Sequence, residues 1–177
     1  MGWKNVQTHY QIDHTVHVTD EGICIGSPYV HNLLVIKADG SVVYPHSSIG
    51  RGGKLDRYVR DIRADPSRAR QLIESPDHFE RSITVYTYRM GDIIEKQCEE
   101  PGYPNVTHDG EMMYDNTFSQ DRDEVVAWAK RNCTAAIENI RDSIAEAEQR
   151  LCERRARLPA YEAALAKLCG ETAKIEA

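Results

Sequence analysis

Between Cys98 and Phe118 the chain reads CEEPGYPNVTHDGEMMYDNTF, a stretch rich in side chains able to do chemistry. Tyr103, Tyr114 and Phe118 offer aromatic faces on which a base can stack, at roughly 1–3 kcal/mol per base. Asn105 and Asn116 each carry a donor and an acceptor on one planar amide, which matches an adenine edge. His108 and Asp109, with Glu111 beside them, have the groups of an acid/base pair or of a metal site. No further ligand stands at matched spacing, and no nucleophile–base spacing accompanies them. The segment therefore points to ligand binding, with no catalytic residue and no metal ligand assigned. The competing reading is a structural loop whose aromatics plug a sheet and whose Asn and Asp residues make turns.

A second group suits anions. Ser47-Ser48-Ile49-Gly50-Arg51-Gly52-Gly53-Lys54 leads into a helical pattern at Leu55. Glycines let backbone N–H groups approach a phosphate, and a helix N-terminus adds positive potential. Arg51 and Lys54 add charge, with Arg57 one turn further on. The Gly-Lys-Ser/Thr ending of a P-loop is absent. Lys130 and Arg131 follow the aromatic segment on a helical stretch and are candidates for the same anion. The alternative for both groups is a solvated surface. His9, His14 and His17 cluster with Asp13, but residues three apart on a strand face opposite ways, which spoils a shared metal site.

Composition narrows the class. The 177 residues are 41% apolar, enough for one domain with an appendage, and the net charge is −6. An acidic chain is poorly suited to nonspecific nucleic-acid binding. No apolar run is long enough to span a bilayer, and no signal-peptide core is present at the start. Cys24, Cys98, Cys133, Cys152 and Cys169 form no CxxC pair, which fits free thiols in a reducing cytoplasm. No cofactor is expected.

The elements that must position these residues read as α+β. Thr15–Thr19 and Ile23–Gly26 flank one hairpin turn; Leu33–Lys37 and Ser41–Tyr44 flank a stronger one at Asp39-Gly40. Leu55, Tyr58, Val59 and Ile62 mark a short helix, and Asp65-Pro66 starts another. Ser82–Arg89 is the clearest strand, and Ile93–Gln97 is its partner. Glu111–Tyr114 adds a short strand to an antiparallel sheet of about six. From Asp121 the period becomes helical, with Ser119 or Asp121 as cap and an apolar stripe through Val125, Cys133, Ile137, Ile144 and Leu151. Pro159 is expected to turn the chain, with Tyr161, Leu165 and Leu168 on the returning arm of a helix hairpin. This divides the chain into a sheet domain, 1–118, and a helical extension, 119–177. The excess stripe argues for a homo-oligomer.

YVHNLLVIKADGSVVY, GRGGKLDR at the helix start and PNVTHDGEMMYDNTF before the long helix give a recognisable layout over Val30 to Asn139. That layout resembles the phage-encoded Thoeris anti-defence sponges of the first described type. The resemblance implies sequestration, without cleavage, of cyclic ADP-ribose-type signals made by bacterial TIR enzymes. It also implies host-cytoplasmic action and a site at a subunit interface. There an aromatic (Phe118 or Tyr103), an asparagine (Asn116 or Asn105) and Arg131 would meet the ligand. Two alternatives stay open. One is an acidic inhibitor of a host defence nuclease, of anti-CRISPR or anti-restriction type, using the cluster from Glu99 to Glu124. The other is a small nucleotide-processing enzyme using His108 and Asp109.

Overall fold

The computed structural model describes residues 1–27, 29–45 and 53–175, with side chains as far as residue 168. The chain forms two compact units, Met1–Lys130 and Arg131–Ala177. The first holds α1 (Trp3–His9), β1 (Thr15–Thr19), β2 (Gly22–Gly26), β3 (Leu34–Ile36), β4 (Val42–Val43), α2 (Gly53–Ala64), α3 (Pro66–Glu74), β5 (Ile83–Arg89) and β6 (Asp92–Cys98). Helix α4 (Arg122–Ile175) begins in the first unit and makes up the second. The fold class is α+β with antiparallel sheets, as the sequence indicates.

The six described strands make two sheets rather than one. β1-β2-β3-β4 is a meander, and β5-β6 is a separate hairpin. Flanking segments bridge the hairpin at a point on each of its edges. Tyr86 and Ser119 exchange backbone hydrogen bonds of 2.7 and 3.1 Å along β5, and the His108 N–H donates to the Gln97 carbonyl at 2.7 Å along β6. The proposed strand at Glu111–Tyr114 reduces to a bridge between Val106 and Met112.

The turn chemistry acts as read. β1 and β2 close through Asp20-Glu21, and Asp39 Oδ1 accepts from the Ser41 N–H at 2.8 Å in the β3–β4 turn. Asp65 caps α3 by accepting from the Arg68 N–H, with Pro66 in the first turn. Buried faces of α1, α2, α3 and the meander form the main core around Val6, Ile23, Ile25, Tyr58 and Ile62. A smaller core joins Val85, Cys98, Met113 and Phe118. Cys24 and Cys98 are free and buried, and burial pushes both thiols up, so neither is a reactive thiolate.

Two helices also depart from the sequence reading. Helix α1 was not anticipated: WKNVQTH supplies only Trp3 and Val6 to the core, too few for a helical period, and Gly2 gives no side-chain cap. Distant groups hold it instead. The Gly2 N–H donates to the Ile73 carbonyl at 2.8 Å, and the Asn5 N–H donates to Asp77 Oδ1 at 2.8 Å. The expected helix hairpin is the second correction. α4 continues through Pro159 as one helix. Leu158-Pro159-Ala160 brings no glycine or asparagine to make a reversal, and good helix formers flank it. Pro159 is exposed, so water can satisfy the carbonyl that its missing N–H leaves unpaired. The start of α4 is built as read: Asp121 Oδ1 accepts from the Asp123 and Glu124 N–H groups, and the Ser119 hydroxyl donates to Glu124.

Candidate functional site

A cleft of about 550 Å³ opens within the first unit, between α1, the start of β1, residues 80–81 and residues 99–106. Its walls are polar and carry both signs of charge: Lys4, Asp13, His14, Arg81, Glu99 and Asn105 all line it. Trp3 packs at its base, 6% exposed, and donates its indole N–H to the His108 carbonyl at 3.0 Å.

On one wall the Lys4 ammonium grips Glu99, at 2.6 Å to Oε1 and 2.7 Å to Oε2. The Glu80 N–H adds a third hydrogen bond to Oε1 at 2.7 Å. Burial pushes the Glu99 carboxyl up, but these donors outweigh it and hold the group below its ordinary range. The Phe79 ring lies 5.2 Å from the Lys4 ammonium and stacks on His108 at 3.8 Å and 4°. His108 Nε2 sits 3.0 Å from the Arg81 carbonyl, an acceptor, so that nitrogen carries the proton.

On the opposite wall Lys54 pairs with Asp13, whose carboxyl it holds low by hydrogen bonding and charge. The Asp13 N–H donates to the Tyr58 hydroxyl at 3.1 Å, and His14 Nδ1 lies 3.3 Å from the same oxygen. Burial, then the Lys54 charge, pushes the His14 imidazole down toward its neutral form. Arg57 donates to the Gln11 carbonyl at 2.8 Å and lies over the Tyr58 ring at 4.8 Å. Lys54 and Arg57 thus fasten the link between α1 and β1. Arg51, the third base proposed for anions, lies outside the described residues, as does residue 52 of the same loop.

The segment from Tyr103 to Phe118 is organised by its own backbone. The Asn105 N–H donates to the Gly102 carbonyl at 2.9 Å, Thr107 N–H to Glu111 at 2.9 Å, and Met113 N–H to Asn105 at 3.0 Å. Tyr103 stacks on Tyr114 with centroids 5.6 Å apart, and the Tyr114 hydroxyl is 3.4 Å from His31 Nε2. Phe118 is buried in the smaller core, while Asn116, Lys130 and Arg131 are exposed. Arg131 opens the second unit. Of the twelve residues proposed for ligand contact, Asn105 is the described one that lines the cleft. Sequence reasoning missed Lys4 and Arg81 altogether. The nearest signal was the Glu99-Glu100 pair at the head of the aromatic segment.

The acidic run is engaged locally. Lys96 bridges Asp109 and Glu111, the Thr107 hydroxyl binds Asp109, and Asp115 accepts from the Tyr103 N–H. Burial pushes the Asp109 carboxyl up, but Lys96 and Thr107 pull it below its ordinary range. Burial likewise pulls the Lys96 ammonium down, and the two carboxylates more than reverse that. The depressed Asp109 therefore adds stability that is present above the unfolded carboxylate value and lost as pH falls through and below it. The raised Lys96 adds stability lost only at strongly alkaline pH. Lys96→Met is expected to lose about 1–2 kcal/mol at neutral pH, a discounted figure because both carboxylates meet solvent. Urea unfolding at neutral and acidic pH checks this: the gap between wild type and variant narrows as the solution is acidified.

Among the described residues, no three His, Cys, Asp or Glu side chains are grouped to hold a metal ion, and no helix is long and apolar enough to cross a membrane. No protein-family model, curated protein or solved structure matches the chain.

Proposed function

We propose that the protein is a binding protein that takes up a cyclic ADP-ribose-type or cyclic nucleotide signal in the cleft beside α1 and keeps it uncleaved. The single observation behind this is the lining of the cleft, where carboxylates, two amides and two cations share one open space of about 550 Å³. Ribose hydroxyls are donors that Asp and Glu accept well. Glu80, Glu100 and Asp13 suit the sugar part of such a ligand, Asn105 suits the edge of its base, and Arg81 with Lys4 suits its phosphates. A lining acidic on balance fits a ligand rich in ribose better than one that is mostly phosphate. Sequestration fits the same residues: Asp13 and Glu99 are both held ionised by lysine partners, the wrong state for a general acid. The identification of the signal, and of a phage anti-defence role in a host cytoplasm, comes from the sequence resemblance. The local engagement of the acidic run weakens the reading as a nucleic-acid mimic.

Calorimetric titration with cyclic ADP-ribose isomers, cyclic di- and trinucleotides, NAD and ADP-ribose tests the reading. One ligand is expected to bind at micromolar concentration or below, stabilise the fold by about 2.7 kcal/mol at a hundredfold excess over Kd, and be recovered intact from denatured protein. Arg81→Ala is expected to weaken that binding about tenfold, the share of one charge-assisted hydrogen bond, with the unfolding midpoint unchanged. Altered ligand on recovery would make the protein an enzyme. Absence of binding across the panel would overturn the proposal.

A further inference from the structure

We propose that the second unit is one strand of an antiparallel two-stranded coiled coil, and that the other strand is the same helix of a second copy of this chain. The inference is independent of any ligand in the cleft. Ile137, Ile144, Leu151, Leu158 and Leu165 recur every seven residues along α4. Ile140, Ala147, Tyr161 and Leu168 form the companion row, three residues after each member of the first, with Arg154 its one charged member. This is an a/d heptad pattern through about four and a half heptads, interrupted at Arg154 and beyond the three or four that mark a coiled coil.

The large apolar members of both rows are 48% to 64% exposed in the isolated chain. The second unit is a single helix, so nothing described within it covers them. A strict seven-residue row drifts by about 20° per heptad around a straight helix. It stays on one seam only when the helix winds around a partner with the same repeat. A groove on an unrelated globular protein asks for no such regularity over this length. Pro159 falls at an outward b position, off the seam.

Charge selects the partner and its direction. In a parallel pair of these helices Arg154 meets Arg154 inside the seam, and Arg150 meets Arg155 along its flank. In the antiparallel pair that centres on residues 152–153, Arg154 meets Leu151 instead. Every other layer then joins two apolar residues, with Ala147 on Leu158, Ile144 on Tyr161 and Ile140 on Leu165. Along one flank Glu148 meets Arg155 and Arg141 meets Glu162, each pair occurring twice by symmetry. The like-charged contact that remains is Arg150 with Arg157. Glu148, Arg155 and Glu162 have no charged residue three or four positions away on their own helix, so intrahelical pairing does not account for them. A second copy does.

Light scattering and sedimentation equilibrium of the full chain test the proposal. The wild type is expected to be a dimer at micromolar concentration. Ile144→Asp with Leu158→Asp is expected to give a monomer whose first unit still unfolds in its own transition. Arg155→Glu is the directional test, because a flanking surface change does not unfold the helix. In the antiparallel pair it sets the new carboxylate against Glu148 and weakens the dimer about tenfold, and adding Glu148→Arg restores it. A parallel pair predicts the reverse, since the new carboxylate meets Arg150. A monomeric wild type, a dimer indifferent to the two aspartates, or a dimer tightened by Arg155→Glu would each overturn the proposal.

Discussion

Gly110→Ala is expected to destabilise the first unit by about 3 kcal/mol, more than any other single-methyl change considered. Gly110 has φ +86°, where an L side chain is strained, and its carbonyl accepts from the Val18 N–H at 2.8 Å. A Cβ there would overlap Val18 Cγ2, and would stand 2.8 Å from Val18 Cβ and 3.2 Å from Trp3 Cδ1. Val18 is β-branched and restricted at χ1, and its Cβ shifts only if β1 does, so rotamer change alone does not relieve the overlap. Either the hydrogen bond to β1 breaks or the Thr107–Gly110 turn moves off the meander. Gly102 separates backbone strain from overlap. Its φ is +91°, but a Cβ there meets nothing within 4 Å, so Gly102→Ala is expected to cost only about 1 kcal/mol. Guanidinium unfolding of the pair decides the matter. Equal losses at the two positions would mean that the close approach to Val18 carries no energy.

Trp3→Ala has an expected effect at least as large, about 3–4 kcal/mol, the range for truncating a buried aromatic. The indole is 6% exposed, lies 6.0 Å from the Phe79 ring at a 41° tilt, and donates to the His108 carbonyl. Trp3→Phe keeps most of the apolar volume and removes the donor. It is expected to lose about 1–2 kcal/mol, because the His108 carbonyl is left unpaired in a partly buried position. The ratio of the two losses, read from chemical denaturation, apportions packing and hydrogen bonding. Because Trp3 lines the cleft, Trp3→Ala is also expected to weaken any ligand binding there. A Trp3→Ala protein of wild-type stability would show that α1 is not docked as described.

What the sequence revealed tracks how local the determinants are. β5 and β6 were legible because Ile83–Arg89 is β-branched and aromatic and a two-residue turn follows directly. α3 was legible because Asp65 and Pro66 sit side by side. α1 was not, since its determinants lie 70 to 105 residues away at Ile73, Asp77 and His108. The cleft was hidden for the same reason: Lys4 and Glu99 mean nothing to each other until the chain has folded. Pro159 misled because a proline was read as a reversal when its neighbours Leu158 and Ala160 favour helix. The aromatics of the 103–118 segment were visible, but their partners were not. Tyr103 and Tyr114 stack on each other, and Phe118 fills a core.

The long reach of α1 has a consequence for the order of synthesis. Its seven residues are made before every group that holds them. Ile73 receives the Gly2 amide, Asp77 the Asn5 amide, Glu99 the Lys4 ammonium, and the His108 carbonyl the Trp3 indole. Until His108 has followed, a nascent chain can close the β1–β4 meander but leaves the Trp3 indole N–H without its carbonyl partner. That interval is when a chaperone or a protease would meet this protein.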